Sequence, residues 1–141
     1  MSSIRERILR ELVTRCAAAV APAPLLRFPT IPVTREASPV LLLFVEGDTV
    51  TAHANALVDR QLIVRLVALA RGDGAFDTAD RLVVAAHAAL MADTNLGGLA
   101  LGLREIDCEW EAEDADGGAA AIPARYEIRY RTLAADLTRH G

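Results

Sequence analysis

Residues 60–91 read RQLIVRLVALARGDGAFDTADRLVVAAHAALM, and the periodicity of this stretch changes once. From Arg60 to Ala70 it is rich in Val, Ile and Leu, with only Arg65 charged in its centre. That composition describes a largely buried strand. Arg71-Gly72-Asp73-Gly74 breaks it. A helix is expected from about Phe76 to Met91, with Phe76, Ala79, Val83, Ala86, His87 and Leu90 on its apolar stripe and Leu82 alongside. Asp77 and Asp80 fall in its first turns, where carboxylates favour the positive end of the helix dipole. Asp93-Thr94-Asn95 and Gly97-Gly98 supply the stop.

Upstream, Val40-Leu41-Leu42-Leu43-Phe44-Val45 is short, apolar and bounded by Pro39 and Gly47-Asp48. It reads as a buried strand, followed by a polar connection over 47–57. The chain begins with a helix. Ser3-Ile4-Arg5-Glu6 has the form of a capping box, in which Glu6 reaches back to the Ser3 N–H. Ile4, Ile8, Leu12, Cys16 and Val20 recur at helical spacing, with Leu9 and Val13 beside them, and Pro22 ends the run. Residues 21–39 hold five of the six prolines and read as an extended arm carrying Leu25, Leu26, Phe28, Ile31 and Val33.

Downstream, Ile106, Cys108 and Trp110 alternate with acids, and Tyr126, Ile128, Tyr130 and Thr132 alternate mostly with arginines. They read as the two strands of a hairpin, each with one wet face and held by cross-strand pairs of opposite sign. The tip, 111–118, carries Glu111, Glu113, Asp114 and Asp116 and is expected to face solvent. The tail with His140 is expected to be mobile. The order is helix, arm, strand, strand, helix, strand, strand. It predicts an α+β fold with a four- to five-stranded, largely antiparallel or mixed sheet and two main helices on one face. Phe44, Val64, Leu66, Val83, Leu90 and Ile128 are the expected core.

Composition bounds the function. A chain of 141 residues suggests one domain over 1–141, long enough to bury its own core. A 52% apolar share excludes a disordered chain, and no run is long enough for a transmembrane helix. The first residues alternate in charge and do not form a secretory signal. Net charge is −4, and all fifteen cations are arginines scattered among acids, so no nucleic-acid stripe is visible. Cys16 and Cys108 lack metal spacing; buried free thiols and a disulfide both fit.

Catalytic patterns are equally sparse. His87 reads as a core or boundary histidine. His53, near Asn55 and Asp59, offers the nearest approach to a base with an orienting carboxylate, in a loop where such residues are common. The sequence holds no HExxH, CxxC, phosphate loop or nucleophile elbow. The acids from Glu109 to Asp116 lack the EF-hand order. No catalytic, metal or cofactor residue is therefore expected.

An apolar surplus remains. Strand 40–45 is apolar on both parities and 62–69 nearly so, while two helices cover only one face of a sheet. The other face needs a cover, and either the arm folding back or another subunit fits.

Three stretches together resemble phage minor tail proteins of the tail terminator type. They are Ile4-Arg5-Glu6-Arg7-Ile8-Leu9, the helix end Ala86-His87-Ala88-Ala89-Leu90-Met91-Ala92-Asp93 with Leu96-Gly97-Gly98-Leu99-Ala100, and Arg125-Tyr126-Glu127-Ile128-Arg129-Tyr130-Arg131-Thr132. The resemblance implies a non-enzymatic subunit of a ring, typically a hexamer. Such a ring caps the tail tube, ends its polymerisation and presents a surface for the head. The implied partners are the chain itself, a tail tube protein and a head–tail connector, in the virion tail after assembly in the host cytoplasm. No membrane and no sequence-specific nucleic acid is involved. The subunit interface is expected at the arm, at Arg27, Phe28, Ile31, Val33 and Arg35. Rival readings are a head-completion or neck protein of the same particle, a small cytosolic enzyme, or a binding module.

Overall fold

The computed structural model describes residues 1–27, 38–107 and 119–141. Helix α1, Ile4–Val20, is capped by Ser3, whose hydroxyl accepts from the Glu6 N–H at 3.0 Å. The expected return bond from Glu6 is replaced by stronger, charge-assisted partners. The Glu6 carboxylate takes both Nη atoms of Arg27, at 2.6 and 2.7 Å.

Strands β1 (Leu25–Arg27), β2 (Val40–Ala54), β3 (Leu57–Arg71), β4 (Gly102–Asp107) and β5 (Ala119–Leu133) form one sheet in the order β1-β2-β3-β5-β4. Helix α2, Ala75–Met91, follows β3. Only β1 pairs in parallel, with Leu25 beside Leu41; the other three pairings are antiparallel, so the sheet is mixed. The fold is α+β, as the pattern predicts.

Alternation then divides the sheet into two faces. Leu62, Val64, Leu66, Ala68 and Ala70 of β3, with Tyr126, Ile128 and Tyr130 of β5, join the buried residues of α1 and α2 in one core. Odd-numbered β3 residues face the other way.

Several boundaries differ from expectation. Residues 47–54 are not a loop but the outer half of β2, paired with β3 through bulges after Val45 and after Val50. The side chains from Thr49 to Ala54 are exposed, so their polarity marks solvent rather than a connection. Asn55, at φ 58°, makes the turn, a conformation that Asn tolerates better than most residues. Part of the arm, Leu25–Arg27, is a strand. Among the described residues strand β5 runs from Ala119, with Pro123 opposite Val67, and β4 pairs with it from Arg125 to Arg129. The register between β4 and β5 shifts at Ile106, leaving Glu105 opposite Tyr126 and Asp107 opposite Arg125. The cross-strand pairs do form: Arg125–Asp107 at 2.6 Å and Arg104–Glu127 at 2.7 Å.

Two expected core residues are only partly buried. Phe44 faces away from the helices, opposite Arg65, and Val83 lies at the edge of the buried face of α2. That face is Ala75, Ala79, Leu82, Ala86 and Leu90, which turns Phe76 out to solvent. The tail is tied down: the Ile4 N–H donates to the Leu137 carbonyl at 2.9 Å, and the Leu133 N–H to the Arg139 carbonyl at 2.8 Å. His140 is exposed at its end. Cys108, Trp110 and the tip at 111–118 lie outside the described residues.

Candidate functional site

The expected pairing of His53 with Asp59 is not found among the described residues. His53 is in β2 opposite Val58, and Asp59 is opposite Ala52, so the two project from opposite faces of the hairpin. Asp59 instead accepts from Arg131 Nε at 2.6 Å, and this guanidinium holds its carboxyl below the usual range. His87 Nδ1 is 2.8 Å from the Tyr126 hydroxyl and 3.8 Å from Glu105 Oε2. It is a boundary histidine that gives a buried tyrosine a partner. Two open clefts lie elsewhere. One, of about 300 Å³, is bordered by Gly72, Asp77 and Ala119; the other, of about 400 Å³, by Leu133, Arg139 and His140. Among the described residues no group of three or more His, Cys, Asp or Glu is placed to hold a metal ion.

The other ionisable contacts bind the chain to itself. Asp48 Oδ2 accepts from the Tyr130 hydroxyl and, at 3.1 Å, from Arg5 of α1. Burial pushes the Tyr130 hydroxyl up, and the Asp48 bond adds to that. Burial likewise pushes the Cys16 thiol up to about 12, an inert thiol rather than a nucleophile. Arg104 holds the buried Glu127 carboxyl below its usual range. No helix is long and apolar enough to cross a membrane.

Of the expected interface residues, Arg27 is described. It ends β1 and is held by Glu6 of the same chain. Phe28, Ile31, Val33 and Arg35 lie outside the described residues.

Two surfaces stand out for what they leave unmatched. The rear face of the sheet, opposite the helices, is built in cross-strand rows: Val40–Leu69–Ala121, Leu42–Val67–Pro123, Phe44–Arg65–Arg125 and Gly47–Ile63–Glu127. Val40 and Leu42 are buried there, while Phe44, Ile63, Val67 and Leu69 keep partial exposure. Arg65 stands directly opposite Arg125, a like-charge pair. Arg125 is neutralised by Glu46 and Asp107, at 2.9 and 2.6 Å. The Arg65 guanidinium instead lies 5.2 Å from the centre of the Phe44 ring, a cation–π contact. The Nε atoms of Arg65 and Arg71 are both buried without a hydrogen-bond partner among the described residues. Buried donors are ordinarily satisfied, so these two are notable.

The second surface is the outer face of α2. Asp77, Asp80, Arg81, Val84, Ala88 and Met91 all point to solvent, and Val84 is 61% exposed. No charge occurs from Leu82 to Met91, so this helix is apolar on both sides over its last ten residues. A helix apolar all round is normally buried. The sequence reading missed this surface because it placed Phe76 on the core stripe. The available signal was the uncharged run itself, which is wider than one helix face requires.

No family model and no curated protein matches the chain.

Proposed function

We propose that this chain is a non-enzymatic structural subunit that assembles with copies of itself into a closed ring, as the tail terminator resemblance implies. In this reading the ring, typically a hexamer, caps a phage or prophage tail tube, ends its growth and presents the surface that receives the head. The partners are the chain itself, the tail tube protein and a head–tail connector. The ring forms in the host cytoplasm and remains in the virion tail.

One observation carries the reading furthest: the rear face of the sheet holds partly exposed Phe44, Ile63, Val67 and Leu69 around Arg65, which makes no ion pair among the described residues. Contiguous apolar surface of that kind marks an interaction site more often than bare protein surface. The arm supplies its neighbouring contacts. Arg27, fixed by Glu6, anchors the root, and Phe28, Ile31, Val33 and Arg35 follow as contacts to the next subunit. A ring needs heterologous contacts, in which one patch meets a different patch and the rotation closes.

The test is electron microscopy of particles made with and without the gene. Tails of uncontrolled length that fail to join heads are expected without it. Normal, uniform tails that still carry heads overturn the reading. A Val33→Asp chain is expected to fold but fail to complete tails.

A further inference from the structure

Side chains from three elements meet where α2 crosses the last strand of the sheet. His87 of α2 places Nδ1 2.8 Å from the hydroxyl of Tyr126 in β5 and 3.8 Å from Oε2 of Glu105 in β4. Glu105 stands directly opposite Tyr126 in the register, just before the irregularity at Ile106. The tyrosine is buried, but the His87 and Glu105 side chains are 39% and 54% exposed, so a proton reaches the imidazole without unfolding. Strand β4 ends the sheet and, among the described residues, pairs with β5 alone.

Imidazole is the side chain whose charge ordinarily changes between pH 5 and 8. A neutral ring can accept from the Tyr126 hydroxyl through Nδ1, whereas a charged ring can only donate there. The charged ring also attracts the Glu105 carboxylate, which gains little from a neutral one. We propose that His87 is a pH-operated latch: its protonation draws Glu105 onto the ring and fastens the edge strand β4 to α2 in mild acid. This goes beyond the ring reading and holds whether or not that reading does.

The other charged groups around this corner are committed elsewhere. On α2, the residues three and four positions from His87 are Val83, Val84, Leu90 and Met91, all uncharged. On β4 and β5, Arg104 holds Glu127, and Arg125 holds Asp107 and Glu46. From α1, Arg15 holds Glu11 and Asp93, and Glu6 holds Arg10 and Arg27. The β3 residues on the helix side, Leu62 to Ala70, are apolar. The acids from Glu109 to Asp116 lie outside the described residues, and the Glu105 variant below separates their effect from that of Glu105.

Hydrogen exchange of the segment Gly102–Asp107 tests the latch, read by mass spectrometry at about pH 7.5 and about pH 5.5 on monomeric chain. Both values lie above the ordinary carboxylate range, so histidine is the side-chain class that titrates between them. Rates are corrected for intrinsic pH dependence and referred to β3. The wild-type segment is expected to gain about twofold to fivefold in protection at the lower pH, the scale of a partly exposed ion pair. Glu105→Gln, at an exposed position, is expected to abolish the gain and leave protection at the higher pH unchanged. His87→Gln keeps a hydrogen-bonding group beside Tyr126 but takes no charge, and is expected to show no gain either. No gain in the wild-type chain overturns the proposal. A gain that survives Glu105→Gln assigns the contact to another carboxylate and overturns it too. A gain that survives His87→Gln assigns the titration to another group, with the same result. If circular dichroism shows His87→Gln poorly folded, Glu105→Gln alone decides.

Discussion

Helices α1 and α2 are each seventeen residues long and pack on the same face of the same sheet, yet they treat solvent differently. The outer side of α1 is charged, and its charges are used within the chain. Glu6 holds Arg27, Arg5 reaches Asp48, Arg7 reaches the Ser2 and Thr138 carbonyls, and Arg15 holds Glu11 and Asp93. The outer side of α2 carries Asp77, Asp80 and Arg81 without ion pairs among the described residues, then Val84, Ala88 and Met91. Their N-termini differ too. Ser3 caps α1 with its side chain, whereas Gly74 caps α2 in the left-handed region and offers none. One helix is finished within the monomer, and the other is finished on its inner side only. Apolar content therefore measures what a helix can bury, not what the monomer buries.

The largest expected effects break the comparison if the two inner faces are unequal. Leu12 of α1 and Leu90 of α2 are both buried in the one core. Truncating either to Ala is expected to cost ~2–5 kcal/mol, the lost transfer energy plus a cavity. Chemical denaturation of Leu12→Ala and Leu90→Ala measures both. A Leu90→Ala cost below about 1 kcal/mol would show α2 to be loosely docked rather than half-finished.

The caps sharpen the contrast at the next scale. Ser3→Ala removes the acceptor of the Glu6 N–H and is expected to cost ~0.5–2 kcal/mol. Gly74, at φ +71° with no side-chain cap bond, holds its turn by backbone conformation. Thermal denaturation of Ser3→Ala checks the first helix.

The Glu6–Arg27 pair gives a pH signature specific to α1. The Arg27 guanidinium lowers the folded Glu6 pKa below its unfolded value. The pair therefore contributes stability above the unfolded value, near pH 4–4.5, and that contribution fades as pH falls through the lower folded value. At neutral pH, Glu6→Gln is expected to cost ~0.5–1 kcal/mol, because the pair is partly exposed. Urea midpoints of the two chains should converge as pH drops towards 3. A gap that persists there assigns the effect to the neutral hydrogen bonds instead.

Much of the fold is legible in the sequence because it depends on periodicity. The break at Arg71-Gly72-Asp73-Gly74, the α1 stripe and the alternation of 126–132 each report a local pattern. What escapes depends on distance. The outer half of β2 resembles a loop because a solvent-exposed ribbon has no apolar parity to read. The phase of α2 is ambiguous because alanines dominate it; Ala75, Ala79 and Ala86 are buried as small residues that let the helix approach the sheet, and large Phe76 is turned out. The surplus on strands 40–45 and 62–69 is visible early. That Arg65 stands opposite Arg125, with Glu46 and Asp107 both taken by Arg125, follows only from the register.

The smallest expected effect decides whether the outer side of α2 is idle in the monomer. Val84 is exposed, and its side chain points away from Ala75, Ala79, Leu82, Ala86 and Leu90. Truncation to Ala removes no buried contact within one chain. It also exchanges a β-branched residue for the best helix former, a gain of a few tenths of a kcal/mol. Val84→Ala is therefore expected to change monomer stability by less than about 0.5 kcal/mol, with the sign towards stabilisation. The measurement belongs at a concentration where sedimentation shows monomer, because association would add its own stabilisation to the wild-type chain. A cost comparable to that of Leu90→Ala would mean that Val84 is already covered in the monomer. The difference between the two helices would then lie in composition alone.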